Sequence, residues 1–235
     1  MRALLRLLLP ALLALPGLWL ALGPAFATQP SASPAQLCEA AVIAAERTAH
    51  LPERMMGAIA VVETGRTDAV SGTLRAWPWT INAEGQGFFF ASKQQAIEAV
   101  RTLQARGVRS IDVGCMQINL MFHPAAFASL DQAFDPGANA RFAADFLTAL
   151  RVTHRDWPSA IAAYHSETPA LGASYRQLVL AHWERPGVTV VTAVAARYAD
   201  FAPRSAHYHD FLPSSQIYGA FANAIDALPT ANSLH

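Results

Sequence analysis

The stretch MMGAIAVVETG, residues 55–65, decides the fold and points to one acid within it. Three apolar residues in this stretch share a helical face with Glu63, because they stand at helical intervals from it: Met56, Ile59 and Ala60. We therefore predict a buried helix that has Pro52 in its first turn and Gly65 as its C-terminal cap. Glu63 then points inward with the apolar residues.

Glu63 is thus an acid at the C-terminal end of an apolar helix. Burial disfavours the carboxylate, and so does the negative end of the helix dipole, so both raise the pKa of the group. Such an acid stays protonated near neutral pH and can donate its proton in a reaction. The alternative is a helix-end glutamate that reaches solvent.

Two further motifs follow along the chain: GCMQIN, residues 114–119, and AAY, residues 162–164. Together with the glutamate helix they resemble the SLT-type catalytic domain of lytic transglycosylases, lysozyme-like enzymes that cut bacterial peptidoglycan. The resemblance covers residues 36–183. It implies a mainly α, lysozyme-like helical domain with a small irregular or β-hairpin insertion.

In that family one glutamate protonates the leaving oxygen of the β-1,4 bond between MurNAc and GlcNAc. The same glutamate then acts as base toward the C6 hydroxyl of the sugar, which closes a 1,6-anhydro ring. The resemblance assigns this catalytic role to Glu63 and substrate contacts to Gln117, Met116 and Tyr164, and it implies no cofactor and no metal. The Tyr164 hydroxyl would reach toward Glu63 or the sugar. From the residues alone, Gln117 also fits a turn, and Tyr164 also fits a core tyrosine with a satisfied hydroxyl.

The chain departs from the family pattern at several positions. Cys115 replaces the usual leucine, His165 stands where asparagine is usual, and Glu167 stands near a usual glycine. Thr64 follows the glutamate where serine is common. Asn139 matches the family and is expected to be a structural hydrogen-bonding residue.

A second carboxylate would favour hydrolysis, because most glycosidases need one as nucleophile or base. The candidates are Asp68, Glu84 and Asp112, and each has the setting of a loop residue. Lytic transglycosylases do without a second acid, so its absence from any motif favours that family. The rivals that stay open are a hydrolytic muramidase of the same fold and a non-catalytic protein that binds or assembles peptidoglycan.

Other helices and strands are predicted from hydrophobic periodicity and from residues that typically cap helices or form turns. In a first helix, residues 34–48, the inner face would carry Leu37, Ala41 and either Ala44 or Ala45. Two short strands would form a hairpin with a glycine turn, at residues 77–82 and 85–90. The aromatic residues of this insertion fit either sugar stacking or a small hydrophobic cluster: Trp77, Trp79 and Phe88 to Phe90. Four further helices are predicted. Two begin at Ser92 and at Asp135-Pro136, a third is capped by Asp156, and the last spans residues 175–182.

The charge balance gives no sign of nucleic-acid binding, since 17 basic residues match 17 acidic ones. Without Arg2 and Arg6 the balance is 15 against 17. We expect a monomer whose partner is the peptidoglycan glycan strand. The family also implies a secretion, pilus or flagellar machine as a partner in local opening of the wall.

The N-terminal residues have the pattern of an export signal. A positive start, a leucine-rich run and the sequence AFA before residue 28 predict a signal peptide over residues 1–27 and export to the periplasm. An uncleaved anchor is the alternative. A linker is predicted at 28–34, the lysozyme-like transglycosylase domain at 35–185, and a partly ordered C-terminal tail at 186–235.

The two cysteines, Cys38 and Cys115, make an even pair in an exported chain, which favours a disulfide over two free thiols. Such a bridge would tie the first helix to the glutamine motif.

The segment HYHD, residues 207–210, lacks the spacing of a metal site, so no metal is predicted there.

Overall fold

The structure is a computed structural model that describes residues 32–68 and 71–184. Its helices are α1 (Pro34–Thr48), α2 (Met55–Thr64), α3 (Lys93–Ala105), α4 (Leu130–Ala133), α5 (Pro136–His154), α6 (Trp157–His165) and α7 (Pro169–Glu184). Its strands are β1 (Gly65–Thr67), β2 (Leu74–Ala76), β3 (Thr80–Ala83), β4 (Gln86–Phe89), β5 (Ile111–Val113) and β6 (Ile118–Asn119). This part of the chain is mainly α-helical with a small strand insertion, which confirms the predicted fold class.

The predictions for both ends of the chain lie mostly outside the described residues. The leader at 1–27, the tail at 186–235 and the HYHD segment at 207–210 are all in that position. At the edge of the predicted linker, Ser33 caps α1 and Pro34 is its first residue. None of the helices that the structure describes is both long enough and apolar enough to span a membrane.

The helix α2 is buried in the helical core, where it packs against α1 and α7. Met55, Met56 and Ile59 have no exposed surface, so the apolar face predicted from the sequence is buried. The chain enters α2 through Arg54, whose backbone is left-handed and whose side chain makes no cap. The cap comes instead from Glu46 of α1, which accepts hydrogen bonds from the N–H groups of Arg54 at 2.6 Å and Met56 at 2.8 Å. A carboxylate at a helix N-terminus satisfies free N–H groups and faces the positive end of the dipole.

The predicted first turn at Pro52 is therefore wrong by three residues, because the cap that starts α2 at Met55 belongs to another helix. The inner face predicted for α1 is also wrong in part. Leu37 is 36% exposed, and the buried face carries Ala35, Cys38, Val42, Ala45 and Glu46.

The helix α7 packs along α2 and contacts both of its ends. Near one end of α7, the indole N–H of Trp183 donates to the carbonyl of Glu53, just before α2, at 2.9 Å. Tyr175, two helical turns earlier in α7, bonds Glu63 in the last turn of α2. The two helices therefore run antiparallel, which places an α7 side chain at the acid.

A second core lies between α3, α4 and a four-stranded antiparallel sheet with the strand order β4-β3-β5-β6. The predicted hairpin is present as β3 and β4. Glu84 and Gly85 form its turn with φ of 51° and 84°, the positive values that a tight two-residue hairpin turn requires. The strands β1 and β2 pair separately, and neither this pair nor β5 and β6 was predicted.

The loop between β5 and β6 carries the glutamine motif and is held from behind by Asn139. The side chain of Asn139 is fully buried. It donates to the carbonyls of Val113 and Ala133 at 2.9 and 3.1 Å and accepts from the N–H of Met116 at 2.9 Å. Gly114 has φ of 81°, and a Cβ there would lie 2.4 Å from the Asn139 amide, so both conformation and space require glycine.

A disulfide bond joins Cys38 of α1 to Cys115 in this same loop. The bridge favoured from the sequence is therefore present in the structure. It attaches the loop that carries Met116 and Gln117 to the helical core.

Candidate active site

Glu63 lies in the last turn of α2, and its neighbour Thr64 fixes that turn against the sheet. Thr64 is fully buried, and its hydroxyl lies 3.1 Å from the carbonyl oxygens of Ala60 and Cys115. The Thr64 hydroxyl oxygen also accepts a hydrogen bond from the N–H of Trp77 at 3.2 Å. The end of α2 is thus tied to the loop after β5, and Glu63 is held where the helical core meets the sheet.

The Glu63 carboxyl is partly buried and receives one hydrogen bond, from the Tyr175 hydroxyl to Oε1 at 2.6 Å. Burial raises the pKa of Glu63 to about 8, the Tyr175 hydrogen bond lowers the pKa, and the charge of Asp112 raises it again. The rise expected from the sequence therefore has burial as its main cause. At neutral pH this group is mostly a neutral acid that can donate its proton.

Close packing of α6 and α7 places Tyr175. A Cβ at Gly172 would lie 2.8 Å from the Ser166 carbonyl and 2.9 Å from the Ala162 carbonyl, so a larger residue would push the helices apart. The ring of His165 stacks on Tyr175 with centroids 4.6 Å apart and planes 6° apart. His165 therefore covers the ring that holds the acid.

Tyr164 lies close to the site, but its hydroxyl donates to the Met116 carbonyl at 2.8 Å and not to Glu63. Burial, then the charges of Glu63 and Asp112, hold the pKa of Tyr164 well above its usual range. The sequence-based role of holding the acid thus belongs to Tyr175 in this structure. Tyr164 instead fixes the glutamine loop from the side of α6.

Gln117 is in a left-handed conformation with φ of 47°. Its side-chain N–H groups donate to the carbonyls of Thr80 at 3.2 Å and Gly114 at 3.0 Å, which closes the turn. Because both partners are carbonyls, the orientation of the amide is determined. The Oε1 atom remains as the acceptor that a sugar hydroxyl could use, so substrate contact by Gln117 stays a prediction.

Met116 does not fit the expectation that it packs against a sugar ring. Its side chain has no exposed surface and belongs to the helical core. The contribution of this residue is through its main chain, where the N–H bonds Asn139 and the carbonyl accepts from Tyr164.

Of the three candidate second carboxylates, Asp112 is the one whose charge acts on Glu63. Burial raises the pKa of Asp112 to about 6, and a hydrogen bond from Asn119 lowers it. Asp68 accepts hydrogen bonds from the N–H and hydroxyl of Ser71, and Glu84 is exposed at the hairpin turn. The structure thus selects one acid that the sequence could not distinguish.

The aromatic residues of the insertion mostly form core. Phe88, Phe89 and Phe90 are at most 5% exposed, which favours the hydrophobic-cluster interpretation for them. Trp77 and Trp79 are partly buried and meet edge to face at 5.9 Å. The guanidinium of Arg66 covers Trp77 at 4.4 Å from the ring centroid.

Glu167 is exposed, and its Oε1 lies 3.3 Å from Nε2 of His154 in α5 rather than at Glu63. Within residues 32–68 and 71–184, no cluster of three His, Cys, Asp or Glu side chains could hold a metal ion. A hollow of about 920 Å³ between α1, α2 and β2 has neither Glu63 nor Gln117 in its lining, so it is separate from the candidate site.

Replacing Tyr175 by Phe removes the hydrogen bond that lowers the pKa of Glu63. We expect this pKa to rise and any cleavage reaction that uses this acid to slow about fivefold, because one hydrogen bond to the acid is worth about 1 kcal/mol. NMR titration of the Glu63 carboxyl and the cleavage rate measure the two effects. Tyr164→Phe is the matched control, since its hydroxyl bonds Met116. A Glu63 pKa unchanged by Tyr175→Phe would contradict the prediction.

Sequence reasoning missed Tyr175 because it is 112 residues from Glu63 and belongs to no motif. Its only local signal is Gly172, one helical turn earlier, which marks a close approach between helices.

We compared the chain with models of protein families, with curated proteins and with solved structures, and none of these comparisons found a match.

Proposed function

We propose that the protein is a peptidoglycan lytic transglycosylase that cleaves the β-1,4 bond between MurNAc and GlcNAc and leaves 1,6-anhydroMurNAc. One observation carries the proposal. Glu63 is a partly buried acid with a pKa of about 8, held by Tyr175 beside the glutamine loop. A carboxyl group in this state at neutral pH matches the general acid that glycosidic cleavage requires.

The chemistry proposed for Glu63 has two steps. The carboxyl oxygen that Tyr175 does not bond carries the proton and gives it to the glycosidic oxygen as the bond to C1 breaks. The resulting carboxylate then takes the proton of the sugar's C6 hydroxyl, whose oxygen closes the anhydro ring on C1. The Tyr175 hydroxyl supports both steps, because it donates to the neutral acid and bonds the carboxylate more strongly.

Hydrolysis is a second candidate, and the position of Asp112 favours it. A carboxylate near Glu63 could activate water, as the second acid of a hydrolytic muramidase does. The products separate the two reactions, because hydrolysis adds the mass of water to each cut and ring closure does not.

The test is a digest of purified peptidoglycan with residues 28–235, with products identified by mass spectrometry. Glycans that end in 1,6-anhydroMurNAc, and that are missing from a digest with Glu63→Gln, support the proposal. Products that carry the added mass of water would refute the transglycosylase proposal and identify the reaction as hydrolysis. Retained wall binding without products would favour the non-catalytic alternative.

Export, a periplasmic location and service to a secretion, pilus or flagellar machine belong to the same proposal, since they follow from the leader and the family resemblance. Fractionation of cells that produce the full chain tests the location. The mature chain should be found in the periplasm, with residues 1–27 removed.

A further inference from the structure

The sheet carries a row of three polar side chains on the face away from its apolar core. In the register of β3, β5 and β6, Asp112 pairs with Asn82 on one side and Asn119 on the other. Residues paired across strands point to the same face, and their neighbours along each strand point to the opposite one. Ile81 and Val113, the neighbours, are fully buried in the core between the sheet and α3.

Asp112 occupies the middle of this row and is held there by Asn119. The side-chain N–H of Asn119 donates to Oδ1 of Asp112 at 2.8 Å. Asn119 is itself fixed, because its Oδ1 accepts from the N–H groups of Met121 and Phe122 at 2.9 and 3.0 Å. Within the described part of the chain, Oδ2 of Asp112 accepts no hydrogen bond, and the residue is partly exposed.

The contacts that hold Glu63 also bring this row of polar side chains close to Glu63. Thr64, adjacent to Glu63, bonds the carbonyl of Cys115, three residues after Asp112. Tyr164 lies within electrostatic reach of both carboxyl groups. Glu63 from the helical core and Asp112 from the sheet therefore share one site.

We propose that Asp112 is a second working carboxylate of the site, an anion fixed by Asn119 that stabilises the positive charge on the reacting sugar. The inference rests on the proposed cleavage by Glu63. The proton of Glu63 passes to the leaving oxygen, and the C1–O bond breaks with its electron pair on that oxygen. Positive charge then spreads over C1 and the ring oxygen, next to the Asp112 carboxylate. Asp112 forms no bond and takes no proton, and the C6 hydroxyl returns its proton to Glu63.

The ionisable groups around the pair support opposite charge states in the two acids. The charge of Asp112 in β5 acts on Glu63, and Tyr175 of α7 donates a hydrogen bond to it. The charges of both acids act on Tyr164 of α6, and His165 of the same helix stacks on Tyr175. No basic side chain in the described residues acts on the pKa of either carboxyl. With pKa values of about 6 for Asp112 and about 8 for Glu63, the anion and the neutral acid coexist between these two pH values.

The test compares wild type with Asp112→Asn, Asp112→Glu and Asp145→Asn, the last a control at an exposed acid of α5. Circular dichroism first establishes that each variant is folded, and cleavage rates are measured from pH 4.5 to 9.5. We expect a bell-shaped profile for wild type, with limbs near the two pKa values. Asp112→Asn should lose about 100-fold at pH 7, the size expected from one nearby charge in a partly buried site.

The pH profile separates this role from a structural one. Asp112→Asn should lose the acid limb, and its upper limb should move to lower pH, because the charge that raises the pKa of Glu63 is gone. Asp112→Glu keeps the charge and should recover most of the rate. A folded Asp112→Asn with a rate within about threefold of wild type and an unchanged profile would overturn the inference. NMR titration of Glu63 gives a readout without activity, so failure of cleavage by wild type would refute the proposed function separately.

Discussion

Glu63→Gln should reduce glycan cleavage by about 10³–10⁴-fold while the protein stays folded, since this is the range that general acid–base catalysis contributes. Glutamine keeps the shape of the side chain and can still accept the Tyr175 hydrogen bond at its carbonyl oxygen. It carries no proton for the leaving oxygen and cannot take one back from the C6 hydroxyl. The rate of product formation and the affinity for undigested glycan should therefore separate, with affinity retained.

The same substitution should change stability in a pH-dependent way. The pKa of Glu63 is raised from 4.5 to about 8 in the fold, so the folded state holds its proton more tightly than the unfolded state. The contribution of Glu63 to the stability of wild type is then largest below pH 4.5 and is lost as the pH rises to about 8. Glutamine does not titrate, so Glu63→Gln should be the more stable protein at pH 8, by roughly 2–4 kcal/mol.

Urea unfolding at pH 5 and pH 8 measures this difference. The difference in the free energy of unfolding between variant and wild type, which we call the gap, should be small at pH 5 and large at pH 8. Glu98→Gln, at an exposed position of α3, is the control and should show equal gaps at both values. A Glu63→Gln gap that does not change with pH would mean that burial does not hold the proton on this acid.

Local patterns predicted the elements whose signals are local. The apolar face of α2, the caps Asp135 and Asp156, and the glycine hairpin all depend on residues within a few positions of one another. The start of α2 could not be read in this way, because Glu46 supplies its cap from α1. The strands β5 and β6 have three and two residues, too few for a period to show.

The candidate site follows the same division. Glu63 was identifiable because its helix and its motif are contiguous, whereas its partners come from distant segments. Tyr175 bonds it from α7, and the charge of Asp112 acts on it from β5, whose register is set by strand pairing. Met116 was misassigned because a motif gives residue order and not burial. Selecting one acid among three required the position of the sheet.

Replacing both Cys38 and Cys115 by serine should lower the free energy of unfolding by about 4 kcal/mol. The disulfide closes a loop with a sequence separation of 77, and the chain-entropy model gives this magnitude for the unfolded state. Urea unfolding measures it. Wild type in reductant should match the double variant, and the double variant should not respond to reductant. A loss under about 1 kcal/mol would contradict the prediction.

The double variant should nevertheless keep its cleavage rate within a few fold at temperatures where it is folded. Three contacts hold the glutamine loop without the disulfide: Thr64 to the Cys115 carbonyl, Asn139 to the Met116 N–H, and Tyr164 to the Met116 carbonyl. Because these contacts fix the loop in the native state, the bridge acts chiefly on the unfolded chain. Activity should therefore fall along the unfolding curve as temperature rises. A large loss of rate in the fully folded variant would show that the bridge also sets the geometry at Glu63.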